Sequence, residues 1–145
     1  MIDYMQIAIK EAKKSLKFDD VPVGCVIVQK NKIVAKAYNK KEKNKCITRH
    51  AEVIAIEKAC KKLGTWHLDD CTIYTTLEPC LMCTTIISQS RIKNVIYALK
   101  NDFHEDLFDF IGRVEPLAKK VNKNKGSFEK ESLEMIQNFF QKKRK

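Results

Sequence analysis

The chain has no long apolar run. Its most hydrophobic stretches, such as "VIV" near residue 27, are far too short to cross a bilayer. Its opening "MIDYMQIAIKEAKKSL" lacks the unbroken apolar block of a secretory signal, because acids and lysines interrupt every cluster; the expected compartment is the cytoplasm. No internal repeat and no linker-like stretch divides the 145 residues, which predicts one domain over 1–145. That length buries a real core without disulfides or a metal for stability. Arginine is scarce, supplying four of the 28 basic residues. The formal charge of +10 and the pI near 9.3 favour an anionic partner, nucleic acid first. A lysine bias of this kind also follows from genome composition, so charge by itself does not decide. A hydrophobic share of 44% against 32% charged excludes wholesale disorder.

Six cysteines are present, at 25, 46, 60, 71, 80 and 83. Without a sign of secretion they do not read as a disulfide framework, and a Cys-x-x-Cys in a reducing compartment points to metal binding or redox work. Cys25 and Cys60 sit within apolar patterns and are expected to be small core residues.

Apolar residues at 2, 5, 9, 12 and 16 step by three and four, predicting an amphipathic helix over residues 2–17. "VPVGCVIVQKNKIVAKAYN" holds two β-branched runs, 23–29 and 33–38, joined by Lys-Asn-Lys: a hairpin. Residues 39–49 read as a polar loop leading into a helix from His50 to Leu63, ended by Gly64. Strands are expected at 71–77 and 94–99, with a helix between them that opens near Pro79. The stretch 100–126 is the least readable, acidic and then rich in lysine and asparagine. A last helix is expected from an N-cap at Ser127, with Leu133, Ile136 and Phe140 on its apolar face. This order predicts an α/β fold, with helices on both faces of one sheet.

The chemistry gathers in two short segments. In "TLEPCLMC", Cys80 and Cys83 are three apart, one helical face apart, near a helix start whose dipole favours thiolates. In "TRHAEVIAIEKA", His50 opens a second helix and Glu52 follows two residues later. His50, Cys80 and Cys83 make a donor set suited to zinc, and three protein ligands leave a fourth tetrahedral position for water. Glu52 then has a task that a closed structural site would not need, moving the proton of that water. The other reading is a four-ligand structural zinc, completed by His67, Cys71 or Cys46. The conjunction of His-x-Glu with Pro-Cys-x-x-Cys, ~30 residues apart, is the pattern of zinc nucleoside deaminases.

On these residues the chain resembles the cytidine/deoxycytidylate deaminase superfamily, and within it the bacterial tRNA-specific adenosine deaminases. The similar segments are "DDVPVGCVIVQKNKIVAKAYN", "RHAEVIAIEKA", "TIYTTLEPCLMC" and "SRIKNVIYA", together with the ending "NFFQKKRK". The resemblance implies a three-layer α/β/α fold around a mixed sheet of about five strands, with one zinc per chain. It implies hydrolytic deamination of the wobble adenosine of a tRNA anticodon loop to inosine, by a homodimer whose two subunits both touch tRNA. It assigns His50, Cys80 and Cys83 to the metal, Glu52 to proton transfer, and Asn39 and Ala51 to the substrate. It also lays the tail along RNA, with Lys142, Lys143 and Arg144 on phosphates and Phe139 against a base. The alternative is a relative acting on a free base, nucleoside or nucleotide, of guanine or cytosine type. Two departures support it: "LKNDFHEDLFDFIGRV" replaces a loop usually rich in lysine and glycine, and Gln89 stands where relatives commonly carry His. His104, inside that segment, is expected to be solvent-exposed.

Overall fold

A computed structural model describes residues 2–143 of the chain. Five strands form one mixed sheet: β1 (Gly24–Gln29), β2 (Lys32–Tyr38), β3 (Cys71–Leu77), β4 (Asn94–Leu99) and β5 (Asn122–Lys125), in the order β2-β1-β3-β4-β5. β1 runs antiparallel to both β2 and β3, while β3, β4 and β5 are mutually parallel. The hairpin turn is tighter than the sequence suggests. Lys30 and Asn31 both take positive φ, the two-residue geometry that matches strand twist, and β2 starts one residue earlier than expected, at Lys32.

Two layers of helix cover the sheet. α1 (Tyr4–Ser15) and α6 (Glu129–Lys143) lie on one face, where Met5, Ala8, Val26, Val28 and Ala98 form a core. α3 (Ala51–Leu63) and α4 (Leu81–Gln89) lie on the other, over a larger core that includes Ile27, Ile54, Ala55, Ile73, Ile87 and Val95. The three-layer α/β/α fold is as expected. α1 sits so close to β1 that a Cβ on Gly24 would come 1.9 Å from the Ala8 carbonyl oxygen. Only glycine allows that approach. No helix among the described residues is long and apolar enough to cross a membrane.

Several local expectations need correction, each for a tertiary reason. β5 falls within the unreadable asparagine and lysine run; it pairs along the free edge of β4, and its Lys123 turns inward to meet Glu78. The loop 39–49 contains a short helix, α2 (Lys41–Asn44). Its first amides are capped from afar: the Asp20 carboxylate accepts from Glu42 N at 2.5 Å and Lys43 N at 3.1 Å. The acidic stretch after β4 folds into α5 (Leu107–Ile111), capped by Asp106, with Phe108 and Ile111 buried. α1 starts at Tyr4 behind an Asp3 cap, leaving Ile2 exposed, and Leu16 at its other end is exposed too.

Ser127 does not cap α6. Its hydroxyl donates to Asp3 at 2.8 Å, and the helix starts two residues later. The buried face of α6 runs through Ser132 and Phe139, one position off the expected stripe, so Leu133 and Phe140 point outward. Ser132 anchors that face by donating to the Thr76 carbonyl at 2.7 Å. Cys25 is buried as expected, whereas Cys60 is only half-buried against the core.

Candidate metal centre and base pocket

The site lies along one edge of the sheet, where β1 begins and β2, β3 and β4 end. Two helices open onto it. His50 is the N-cap residue of α3 and Cys80 that of α4, both with extended backbone, and neither side chain caps its own helix. Each side chain is therefore free to turn to the other while the helix N-terminus stays aimed at the same point. The α4 helix thus begins after Cys80, rather than near Pro79, and Cys83 is its third residue, fully buried.

His50 Nδ1 lies 3.6 Å from Cys80 Sγ and 3.6 Å from Cys83 Sγ. Zinc bonds of about 2.3 Å to sulfur and about 2.0–2.1 Å to nitrogen, at a tetrahedral angle, put N and S about 3.6 Å apart. The three donors fit the ion. Their ligand atoms all lie within 4.8 Å of one another, and no other Cys, His, Asp or Glu of the described residues joins them. Cys46 is exposed and bonded to Thr48. His67 lies against Trp66 with its ring tilted by 40°, and Cys71 begins β3 at the opposite edge. A fourth protein ligand is thus missing, which favours an open position over a closed structural site.

The electrostatics agree with that donor set. Hydrogen bonding from Cys83, and then from His50, pulls the Cys80 thiol down to about 4 against its burial. Cys83, donating to Cys80 and buried, is raised. Glu52 is buried, and loss of hydration pushes its carboxyl up to about 7, with the Cys80 sulfur adding to the rise. A carboxyl group poised near neutrality is what proton transfer requires.

Beside the donors is a cavity of about 200 Å3 lined by Val21, Asn39, Ala51, Glu52, Glu78 and Asn101, among others. This is below the range of about 300–1,000 Å3 typical for drug-sized ligands and suits a single base. Asn39 is already engaged: its Nδ2 donates to the Val21 carbonyl at 3.1 Å and its Oδ1 accepts from Lys41 N at 3.1 Å. One amide hydrogen and one lone pair remain for a ligand. Ala51, the first residue of α3, lines the same cavity. The family model for the cytidine and deoxycytidylate deaminase zinc-binding region matches residues 1–99. The chain belongs to this family.

Within this deaminase family, the chain is 46% identical over 94 residues to a tRNA-specific adenosine deaminase of Bacillus subtilis, 65% of this chain and 58% of that relative. It thus spans less than two thirds of that relative's length. A structure from work on A-to-I editing by tRNA:A34 deaminases at the wobble position superposes with a TM-score of 0.79 at 30% identity. The match covers 91% of this chain and 97% of the other. A guanine deaminase of Bacillus subtilis superposes with a TM-score of 0.65 at 32% identity, over 95% of this chain and 92% of its own.

The far wall of the deaminase cavity holds residues that the sequence did not single out. Glu78 accepts from Asn101 N at 2.9 Å and pairs with Lys123, which also reaches Asp106 at 2.7 Å. Burial works against the charge on Lys123, but its hydrogen bonds to Asp106 and Glu78 outweigh it and hold the ammonium above its usual pKa. The signal was present in the "Leu-Glu-Pro-Cys" segment, yet Lys123 lay in a run that looked like solvated surface.

The tail residues scatter. Phe139 is buried at 9% exposure while Phe140 is 45% exposed, so stacking on a base suits Phe140 better. Lys143 pairs with Asp19, and Lys142 lines a groove between α6 and the end of α1. Arg144 lies outside the described residues. Gln89 contacts Glu115 at 3.4 Å, and His104 is exposed.

Proposed function

We infer that the chain, as one deaminase domain over residues 1–145, hydrolyses the wobble adenosine of a tRNA anticodon loop to inosine and releases ammonia. The observation that carries this reading is a buried carboxyl, Glu52, in a base-sized cavity beside an open three-donor set. Its B. subtilis relative named a tRNA-specific adenosine deaminase supports the choice of substrate. His50, Cys80 and Cys83 would hold one zinc per chain, which when bound supplies a nucleophilic water at neutral pH.

The remaining work belongs to the chain's own groups. Val21, Ala51 and Asn39 enclose the base, and the free amide hydrogen and lone pair of Asn39 select its polar edge. Glu52 accepts a proton as water adds to C6 and delivers it to N1. The second water proton leaves with the amine, again through Glu52, so adenosine and water become inosine and ammonia. Burial keeps bulk water from competing for that carboxyl.

The enzyme acts in the cytoplasm as a homodimer. Ile47 and Leu81, exposed apolar residues three positions before His50 and one after Cys80, support an interface at the rim of the site. Lys142 and the exposed Phe140 favour an RNA path along the last helix. A free-base reading has support from the B. subtilis guanine deaminase and from the packed acidic segment after β4. Both are separated by one experiment. Zinc-loaded protein is incubated with an arginine tRNA carrying adenosine at the wobble position and, separately, with guanine and cytidine. Inosine in the tRNA is the expected product. Untouched tRNA with turnover of a free base would reject the proposal in favour of the alternative.

A further inference from the structure

Beside the mouth of the cavity, on the other side of one chain segment, lies a patch of two aromatic rings and several lysines. Phe18 and Tyr38 are near-parallel, with an interplanar angle of 8° and centroids 6.5 Å apart. Lys43 Nζ lies 4.2 Å from the centre of the Phe18 ring, and Lys40 Nζ lies 4.8 Å from that of Tyr38. Lys43 Nζ is also 3.5 Å from the Tyr38 hydroxyl, and Lys14 is 6.0 Å from that ring. Ring faces hold ammonium groups in place by cation–π attraction. This restrains side chains that would otherwise be mobile.

Of the neighbouring carboxylates, one pairs with a lysine of the patch itself and two are committed elsewhere. Glu11 pairs with Lys14 at 2.6 Å, Asp19 pairs with Lys143, and Asp20 is occupied by the amides of Glu42 and Lys43. Glu42 is the remaining acid of that segment. Among the described residues, neither Lys40, Lys43 nor Lys58 has an ion-pair partner. Lys58 instead donates to the Lys36 carbonyl at 2.9 Å, and burial and then the charge of Lys40 depress its pKa. Lys40, Lys43 and Lys58 thus concentrate positive charge that no ion pair offsets, with Glu42 the one uncommitted acid of that segment.

Its position gives that charge a use. Successive residues alternate between two surfaces: Asn39 and Lys41 line the catalytic cavity, whereas Tyr38 and Lys40 form the patch. The patch thus adjoins the cavity through neighbouring residues of one segment. We propose that Phe18, Tyr38, Lys40 and Lys43 form a second RNA contact, which receives the single-stranded nucleotides flanking the target base. The lysines meet phosphates, and the rings hold the lysines in register and offer apolar surface to a flanking base. The contact rests on the proposed RNA reading but uses none of the residues of the last helix.

The test is binding of a fluorescent anticodon stem-loop to the zinc-loaded full chain over a salt series. Each phosphate contact in a single strand contributes a slope of about 0.7 to log K against log salt. Lys40→Ala/Lys43→Ala should therefore flatten the slope by about 1.4. Phe18→Ala should weaken binding roughly tenfold with less change of slope. Lys40→Arg/Lys43→Arg should retain the wild-type slope, which separates charge from a folding defect. The matched control is Lys119→Ala/Lys120→Ala, which removes the same charge from exposed residues at the opposite edge of the sheet and should leave the slope unchanged. An unchanged slope in the Lys40/Lys43 variant, or an equal flattening in the control, overturns the patch while wild-type editing leaves the RNA reading intact. A wild type that neither binds nor edits the stem-loop overturns both.

Discussion

Removing Lys123 from β5 should destabilise the protein more than any other single change at its surface edge. The side chain is 9% exposed and that of its partner Glu78 5%, so both charges have largely left water. Asp106 completes the set at 2.7 Å and also caps α5. In Lys123→Met, Glu78 is left buried without its counter-charge. Losing one partner of a buried pair costs about 3–5 kcal/mol, because the orphaned charge keeps its desolvation penalty. The double variant Lys123→Met/Glu78→Gln should recover most of that loss, since no buried charge is left unpaired. Urea unfolding of the two single variants and the double variant measures the coupling directly. For a chain of this size the single Lys123 variant should melt about 10 °C lower. A cost below about 1 kcal/mol, or no recovery in the double variant, would refute the view that the pair holds the cavity wall to β5.

Three further outcomes follow from the same geometry. Burial raises Glu52 from an ordinary 4.5 to about 7, so the folded state holds a proton that the unfolded chain has released. Its contribution is complete below pH 4.5 and is lost as pH rises through 7. In zinc-stripped protein, Glu52→Gln should therefore be more stable than wild type at pH 8, by at most about 3 kcal/mol, and nearly equal to it at pH 4.5; equal stability at both pH values would contradict the burial argument. Gly24→Ala should cost at least about 3 kcal/mol in chemical denaturation, because the added methyl meets the backbone of α1; a neutral result would mean that α1 does not lie so close. For the homodimer proposed above, Leu81→Glu should shift sedimentation from dimer to monomer; a dimer that persists would place the interface elsewhere.

The legible parts of the fold were those whose local pattern agrees with their tertiary setting. Strands Cys71–Leu77 and Asn94–Leu99 carry β-branched runs bounded by breakers, and the helix ending at Gly64 closes with that glycine in the left-handed region. The elements that escaped notice depend on distant partners. β5 is an edge strand of asparagine and lysine whose inward side chain makes sense only opposite Glu78. α2 needs the carboxylate of Asp20, far back in the chain. The face of α6 shifts by one position because Ser132 finds the Thr76 carbonyl, which no helical pattern reveals. The site divides in the same way: four residues in two short motifs name its chemistry, whereas the wall formed by Glu78 and Asn101, with Lys123 paired to Glu78, emerges only when β4 and β5 are side by side.

The proposed function divides the work, with His50, Cys80 and Cys83 holding the metal and Glu52 moving the proton. It is tested most directly by measuring zinc content and inosine formation on the same preparation of Glu52→Ala. About one zinc per chain is expected, as three protein donors remain, with inosine formation reduced by a factor of about 100 or more. A variant that keeps its zinc and still forms inosine at the wild-type rate would contradict it, as would one that loses the metal.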